Sequence, residues 1–212
     1  MRVVRLSFEF LRAVPLAPVT VDARVVRPGR RLQLAAGSVR SGGEEVLRAT
    51  ATLLRRGDVE LPPPANAEPP LAGPDTGKTG RWFGADEKEG FHLTGMDLRF
   101  VAGDWGQGPA TGWFRLAMPL VAGEEPTPLQ RVVAAADFGN GLSRALDFAT
   151  HIFVNTDLTV HLHREPEGDW VGLDARTDLD RSGAGQAVSV LHDERGRIGV
   201  AAQSLYVDAR GG

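Results

Sequence analysis

An α+β fold built mainly from antiparallel strands is what this 212-residue sequence predicts, and three observations predict it. Apolar and polar residues alternate along most of the chain, one segment switches to helical spacing, and prolines crowd a stretch between two strand-rich blocks. In the first block Leu6, Phe8 and Phe10 alternate with Ser7 and Glu9, and Val19, Val21, Ala23 and Val25 alternate with Thr20, Asp22 and Arg24. A period of two marks strands with one buried face. Pro28-Gly29-Arg30 makes a tight turn, Leu32 and Leu34 resume the alternation, and Ser41-Gly42-Gly43 turns the chain into Val46 to Leu54. Residues 1–56 therefore read as four antiparallel strands with no helix among them.

Pro62, Pro63, Pro64, Pro69, Pro70 and Pro74 fall in the next stretch, beside Gly and Ala. Such a composition supports neither ladder nor helix, so residues 57–80 are predicted to be a linker, semi-rigid where the prolines cluster. The other reading is a long ordered loop wrapped on one domain. The second block, 81–212, opens with strands predicted at 91–101 and 112–120. Its helix start is marked by Thr127 at the N-cap, Pro128 at the first helical position and Gln130 where a capping box needs it. At 100° per residue Leu129, Val132, Val133, Ala136 and Asn140 share one face, with Asp137 on its flank. Gly139 and Gly141 are expected to bend or interrupt the helix before it continues from Leu142 to Leu146. Strands predicted at 152–164, 169–178, 184–193 and 197–208 complete a β-β-α-β-β-β-β block. A sheet carrying one long helix is the hotdog arrangement, and two strand-rich blocks joined by a proline linker suggest a fused pair.

Composition narrows the function. With 24 basic and 27 acidic residues the net charge is −3, which gives no overall field for nucleic acid. The absence of cysteine removes disulfides, Cys-ligated zinc, iron–sulfur clusters and thiol nucleophiles. No apolar run has the 18 residues of a membrane span, and the start lacks a signal-peptide core, so a cytoplasmic protein is expected. There is no Gly-x-Ser-x-Gly elbow and no P-loop, and Gly106-Gln107-Gly108 lacks the strand-to-helix setting of a dinucleotide loop. His161 and His163 share one strand face; two histidines at that spacing read either as a metal pair or as packed or interface side chains, and no metal is predicted. His92, His151 and His192 have no partner visible in the sequence. Trp82, Trp105 and Trp113 read as packing near the linker.

Particular segments carry a family likeness: Val121 to Gln130, then Ala135-Ala136-Asp137-Phe138-Gly139-Asn140-Gly141, then Asn155 to Arg164, and finally Ala201-Ala202-Gln203-Ser204. Together they resemble the double-hotdog acyl-CoA thioesterase family of the TesB type. In the first block Ser7 to Arg12 and Arg27-Pro28-Gly29-Arg30 are similar to that family's first repeat. The resemblance implies a tandem hotdog, with 1–56 as a first repeat, 57–80 as the linker and 81–212 as the second repeat. Members normally have strand and helix segments ahead of the Ser7 strand, so the first repeat is expected to be truncated. The resemblance also implies hydrolysis of an acyl-CoA thioester by an Asp, a Gln and a hydroxyl residue gathered around a water, with no cofactor. By position the Asp is Asp137 and the Gln is Gln203. The hydroxyl position falls on Asn155, with Thr156 one residue along and directed to the other face of its strand. Asn140, Gly139, Gly141 and His163 are the expected substrate contacts, acyl-CoA the expected partner, and a homodimer the expected assembly.

The residues alone leave alternatives open. Asp137 reads either as a base that takes a proton from water or as a solvated carboxylate or cap, and Gln203 either as a group orienting that water or as an outward strand residue. Asn140 reads equally as a backbone partner or as a functional group. Backbone N–H groups near Gly139 to Gly141 are candidate oxyanion donors. Arg24, Arg27, Arg30 and Arg31 form either a solvated turn or a grip on the coenzyme's phosphates. Two other functions remain beside hydrolysis: a non-catalytic acyl-CoA or lipid-binding hotdog, and a hydratase, which would need an Asp and a His in one site.

Overall fold

The computed structural model describes residues 1–62, 69–80, 90–103 and 106–211. The first block forms β1 (Arg2–Phe10), β2 (Val19–Arg27), β3 (Leu32–Ser41) and β4 (Glu44–Leu54), as the alternation predicts. The β2–β3 turn depends on Gly29, because a Cβ there would lie 2.2 Å from the Leu32 carbonyl oxygen. β1 pairs with β4 on one edge. On its other edge it pairs with β9 (Asp157–Leu162), which brings Leu6 beside Val160 and Phe8 beside Leu158. That seam joins the two blocks.

The second block supplies β5 (Lys78–Thr79), β6 (Met96–Ala102), β7 (Ala110–Leu116), β8 (His151–Asn155), β10 (Val171–Leu179), β11 (Ala184–Asp193) and β12 (Gly196–Ala209). The strands of both blocks form one sheet, in the order β2-β3-β4-β1-β9-β12-β11-β10-β7-β6-β5, with β8 also paired to β12. Several boundaries differ from the sequence reading. Residues 91–94 form a helical turn, α1 (Phe91–Thr94), which Gly95 closes by donating its N–H to the Phe91 carbonyl at 2.7 Å, so the strand starts only at Met96. The strand expected to reach 120 stops at Leu116, where Ala117 turns its N–H to Gly95 and Pro119 lacks a donor. The segment 57–80 is not wholly irregular. Pro74–Thr76 forms a 3-10 turn and β5 pairs with β6. Trp113 Nε1 donates to the Ala72 carbonyl at 2.7 Å, which straps this end of the segment to the second block. Trp82 and Trp105 lie outside the described residues.

The helix starts where the capping box places it. α2 (Pro128–Ala136) begins after Thr127, whose hydroxyl accepts from Gln130 N while Gln130 Oε1 accepts from Thr127 N at 2.7 Å. It is a nine-residue helix rather than a long one. The chain breaks at Asp137 and Phe138, ahead of the glycines, and α3 (Gly139–Leu142) ends short of Leu146 as Ser143 Oγ donates to the Gly139 carbonyl. α2 rests on β7, β9 and β10, burying Val132, Ala135 and Ala136 over a core that includes Phe114, Leu158 and Leu173. Ala135 joins the buried face although the helical wheel did not place it there; α2 packs against three strands, β7, β9 and β10. The fully buried core cluster lies in the second block, with Phe8 and Phe10 of β1 packed against it; in residues 1–56 only Val46 is a fully buried hydrophobic residue, and among the described residues those strands have no helix between them.

The N-cap holds the helix that carries Asp137. Thr127→Ala is expected to lower unfolding stability by about 1 kcal/mol, measured by urea denaturation.

Candidate active site

Asp137 is the C-cap of α2 and lies on the wall of an apolar cavity of about 470 Å³. Both blocks build this cavity: Leu6, Phe8, Phe10 and Leu47 come from β1 and β4, and Leu129 and Val133 from α2. Sequence reading recognised these residues only as core-facing alternation, because nothing local shows that β1 meets α2 across a space.

Gln203 reaches Asp137 from β12. Its side chain is 2% exposed and all its polar groups are engaged. Oε1 accepts from Asn140 N at 3.0 Å, while Nε2 donates to the Asp137 carbonyl at 3.1 Å and to Asp137 Oδ1 at 3.3 Å. Asn155 Nδ2 donates to the same Oδ1 at 2.8 Å. Both amides therefore anchor one carboxylate oxygen, and Oδ2 has no hydrogen bond among the described residues. Water reaches Asp137 through the cavity, so its surface is exposed, yet protein atoms crowd its carboxylate. Desolvation is the main cause of a pKa raised above the ordinary 3.8, and the hydrogen bonds from Asn155 and Gln203 oppose it. The negative end of α2 acts in the raising direction.

Asn155 owes its position to a β-bulge. It pairs with Leu205, whereas Thr159 pairs with Ala202, so residues 156–158 face only residues 203–204 on β12. The extra residue shifts the alternation by one. Phe153 is buried before the bulge, Leu158 and Val160 after it, and Asn155 joins the core-side face. Thr156 stands outside this cluster: its hydroxyl donates to the Ser204 carbonyl at 3.3 Å and to Asp157 Oδ2 at 3.4 Å.

Gly139 is required for contact rather than for bending. Its backbone is not in the left-handed region, and an added Cβ would lie 2.6 Å from Ser189 Oγ and 3.2 Å from Gln203 Oε1. Ser189, buried on β11, escaped sequence reading because its meeting with Gly139 arises only in the fold. Asn140 takes the backbone role: besides binding Gln203 through its N–H, it donates from Nδ2 to the Phe153 carbonyl at 3.4 Å, and its buried Oδ1 has no hydrogen-bond partner among the described residues. Gly141 sits half-buried within α3, away from the cavity lining. His163 also lies outside the cavity. It borders a groove on the opposite face with His161, as strand alternation requires once Leu158 and Leu162 face the core. Among the described residues no group of three or more His, Cys, Asp or Glu side chains is placed to hold a metal.

With this geometry in hand, two family models match the chain: the acyl-CoA thioesterase N-terminal domain over residues 1–54 and the acyl-CoA thioesterase C-terminal domain over residues 60–207. The chain belongs to the acyl-CoA thioesterase family, and it is a thioester hydrolase. No curated protein sequence matches it. Solved structures are similar in fold. A conserved protein with a hot dog fold from Alicyclobacillus acidocaldarius superposes with a TM-score of 0.75 at 18% identity, over 99% of this chain and 80% of that one. A candidate thioesterase II from Thermobifida fusca gives 0.74 at 20% identity, over 98% and 79%. The acyl-CoA thioesterase II TesB2 of Mycobacterium marinum gives 0.70 at 17% identity, over 99% and 82%. The fold is thus a hotdog. Among the described residues no helix is long and apolar enough to cross a membrane.

Two outcomes follow from the cluster. Gly139→Ala should displace the Gln203 amide and lower kcat by about a hundredfold, and its clash with buried Ser189 should lower the unfolding midpoint as well. Asn155→Ala removes a hydrogen bond that lowers the Asp137 pKa, so the acid limb of kcat/KM should move to higher pH. An unmoved limb would separate Asn155 from the titrating group.

Proposed function

We propose that the chain hydrolyses an acyl-CoA thioester with Asp137 as general base. The observation that carries this reading is a carboxylate with a raised pKa, anchored through one oxygen, whose other oxygen is free beside an apolar cavity sized for an acyl chain. In the first step Oδ2 takes a proton from water as the water oxygen bonds to the thioester carbonyl carbon. The C–S bond then breaks, the proton passes to the departing sulfur, and the products are a free acid and coenzyme A. Asp137 ends unprotonated. Gln203 and Asn155 are positioning residues in this scheme, since their amide donors hold the carboxylate. In the free chain Nε2 of Gln203 donates to the Asp137 carbonyl and to Oδ1, and Oε1 accepts from Asn140 N, contacts that support its holding the carboxylate.

The same reading takes the chain as a tandem hotdog, with repeats at 1–56 and 81–212 and a connection at 57–80. The two matched ranges, 1–54 and 60–207, and the β1–β9 seam support a pair of repeats. It includes a homodimer and action on acyl-CoA in the cytoplasm.

Asp137→Asn tests the base, because it keeps the shape and removes the proton acceptor. Release of coenzyme A thiol from a panel of acyl-CoAs should fall on the order of 10²–10⁴-fold. A raised folded-state pKa means the native state holds this proton more tightly than the unfolded state. Its stabilising effect is complete below the unfolded pKa and lost as pH rises through the folded one. At pH 7 the Asn variant should therefore be at least as stable as the parent. Turnover equal to the parent's would refute the mechanism.

A further inference from the structure

The strand order of the sheet ends in β2 on one side and β5 on the other. A sheet edge offers its N–H and C=O groups to any strand that can lie alongside, and proteins blunt such edges by shortening the strand or placing a lysine on it. β5 is blunted in both ways, with two residues of which one is Lys78. β2 is not: all nine of its residues, Val19–Arg27, are exposed, and among the described residues it pairs only with β3. Val21 is 69% exposed and Val25 54%, although valine is a residue that folding usually buries.

The two faces of β2 differ in chemistry. Register carries Val21 through Val39 and Leu47 to Phe10, and Val25 through Ala35 and Ala51 to Leu6. Val21, Ala23 and Val25 therefore share the apolar face on which the acyl cavity lies. Asp22 and Arg24 project from the other face, 3.6 Å apart and largely exposed.

A strand that pairs with this edge has to lay an apolar face beside an apolar face and meet Asp22 and Arg24 with opposite charges. A second β2, running antiparallel about a two-fold axis at Ala23, meets both conditions. Asp22 then stands opposite the partner's Arg24, Arg24 opposite the partner's Asp22, and Val21 opposite the partner's Val25. Sliding one strand by a single residue would set Val21 against Arg24 and mix the two faces. Centring the pair on Asp22 or on Arg24 would bring two carboxylates or two guanidinium groups face to face. The segment Val21-Asp22-Ala23-Arg24-Val25 thus favours one register of self-pairing, and it ends before the bulge at Val26.

We propose that a second copy of this chain pairs with β2 in that register, joining the sheets of two chains across a two-fold axis. This interface rests on the homodimer included in the proposed function and gives it a contact surface; Asp137, Gln203 and Asn155 take no part in it.

Sedimentation equilibrium of the full chain over a range of concentrations tests it, and a reversible monomer–dimer equilibrium is expected. Asp22→Arg and Arg24→Asp should each weaken dimerisation about tenfold or more, because two-fold symmetry makes each reversal act twice. An equimolar mixture of the two variants should regain the parent's affinity as a heterodimer, and so should the Asp22→Arg/Arg24→Asp double variant on its own. Lys78→Glu, on the other edge, should dimerise as the parent does. The substituted side chains are exposed, and recovery in the mixture requires that both variants are folded. A dimer of unchanged affinity in both single variants would overturn this interface while leaving a homodimer through another surface. A mixture that fails to recover would also overturn it. A parent that is monomeric at every concentration would overturn the interface and the homodimer together and leave the edge to a different partner. Release of coenzyme A tests Asp137 separately from all of these outcomes.

Discussion

One oxygen of the Asp137 carboxylate receives hydrogen bonds from two amides, and the arrangement of the site depends on that constraint. The donors come from elements far apart in sequence: Gln203 from the last strand and Asn155 from just before a bulge. Fixing Oδ1 leaves Oδ2 without a hydrogen bond among the described residues, on a side chain that lines the cavity. Burial raises the carboxylate's proton affinity, and the hydrogen bonds from the two donors oppose that rise. A general base needs this balance between desolvation and hydrogen bonding.

The clamp needs space as well as donors. Gln203 holds its orientation because the Asn140 N–H fixes its oxygen, and Asn140 is close enough because residue 139 has no side chain. The capping box sets the start of α2 and so determines where its C-terminal end, with Asp137, meets β12. On the other side, β1 contributes apolar side chains through its pairing with β9, so the cavity is a product of the seam between the two blocks. The same alternation places Arg5 and His161 on the outer face. A single strand pair thus lines an apolar cavity on one side and a polar groove on the other.

Much of this was legible in the sequence, for identifiable reasons. The first four strands and β11 follow period-two alternation, and the start of α2 follows Thr127, Pro128 and Gln130, signals that act locally. The place of Asp137 on the flank of the helix face was readable from 100° spacing, and its pairing with Gln203 came from family resemblance alone. What escaped reading was non-local. The bulge at residues 156–158 reverses the alternation and turns Asn155 inward, whereas the sequence from Leu158 to Leu162 shows only an unbroken strand pattern. Gly139 looked like a helix breaker, but its function depends on Ser189 and Gln203, which approach only in the fold. His163 was taken for a substrate contact through its place in a matched segment, yet its strand face sends it to the other side of the sheet.

Direct titration of Asp137 is the sharpest test of the clamp. Its carboxyl carbon, followed by carbon-13 NMR in the parent and in Gln203→Ala, should titrate above the ordinary 3.8 in the parent and higher still in the variant, which lacks one of the opposing hydrogen bonds. A midpoint at or below 3.8 in the parent, or one that falls in the variant, would contradict a desolvated base held by that amide.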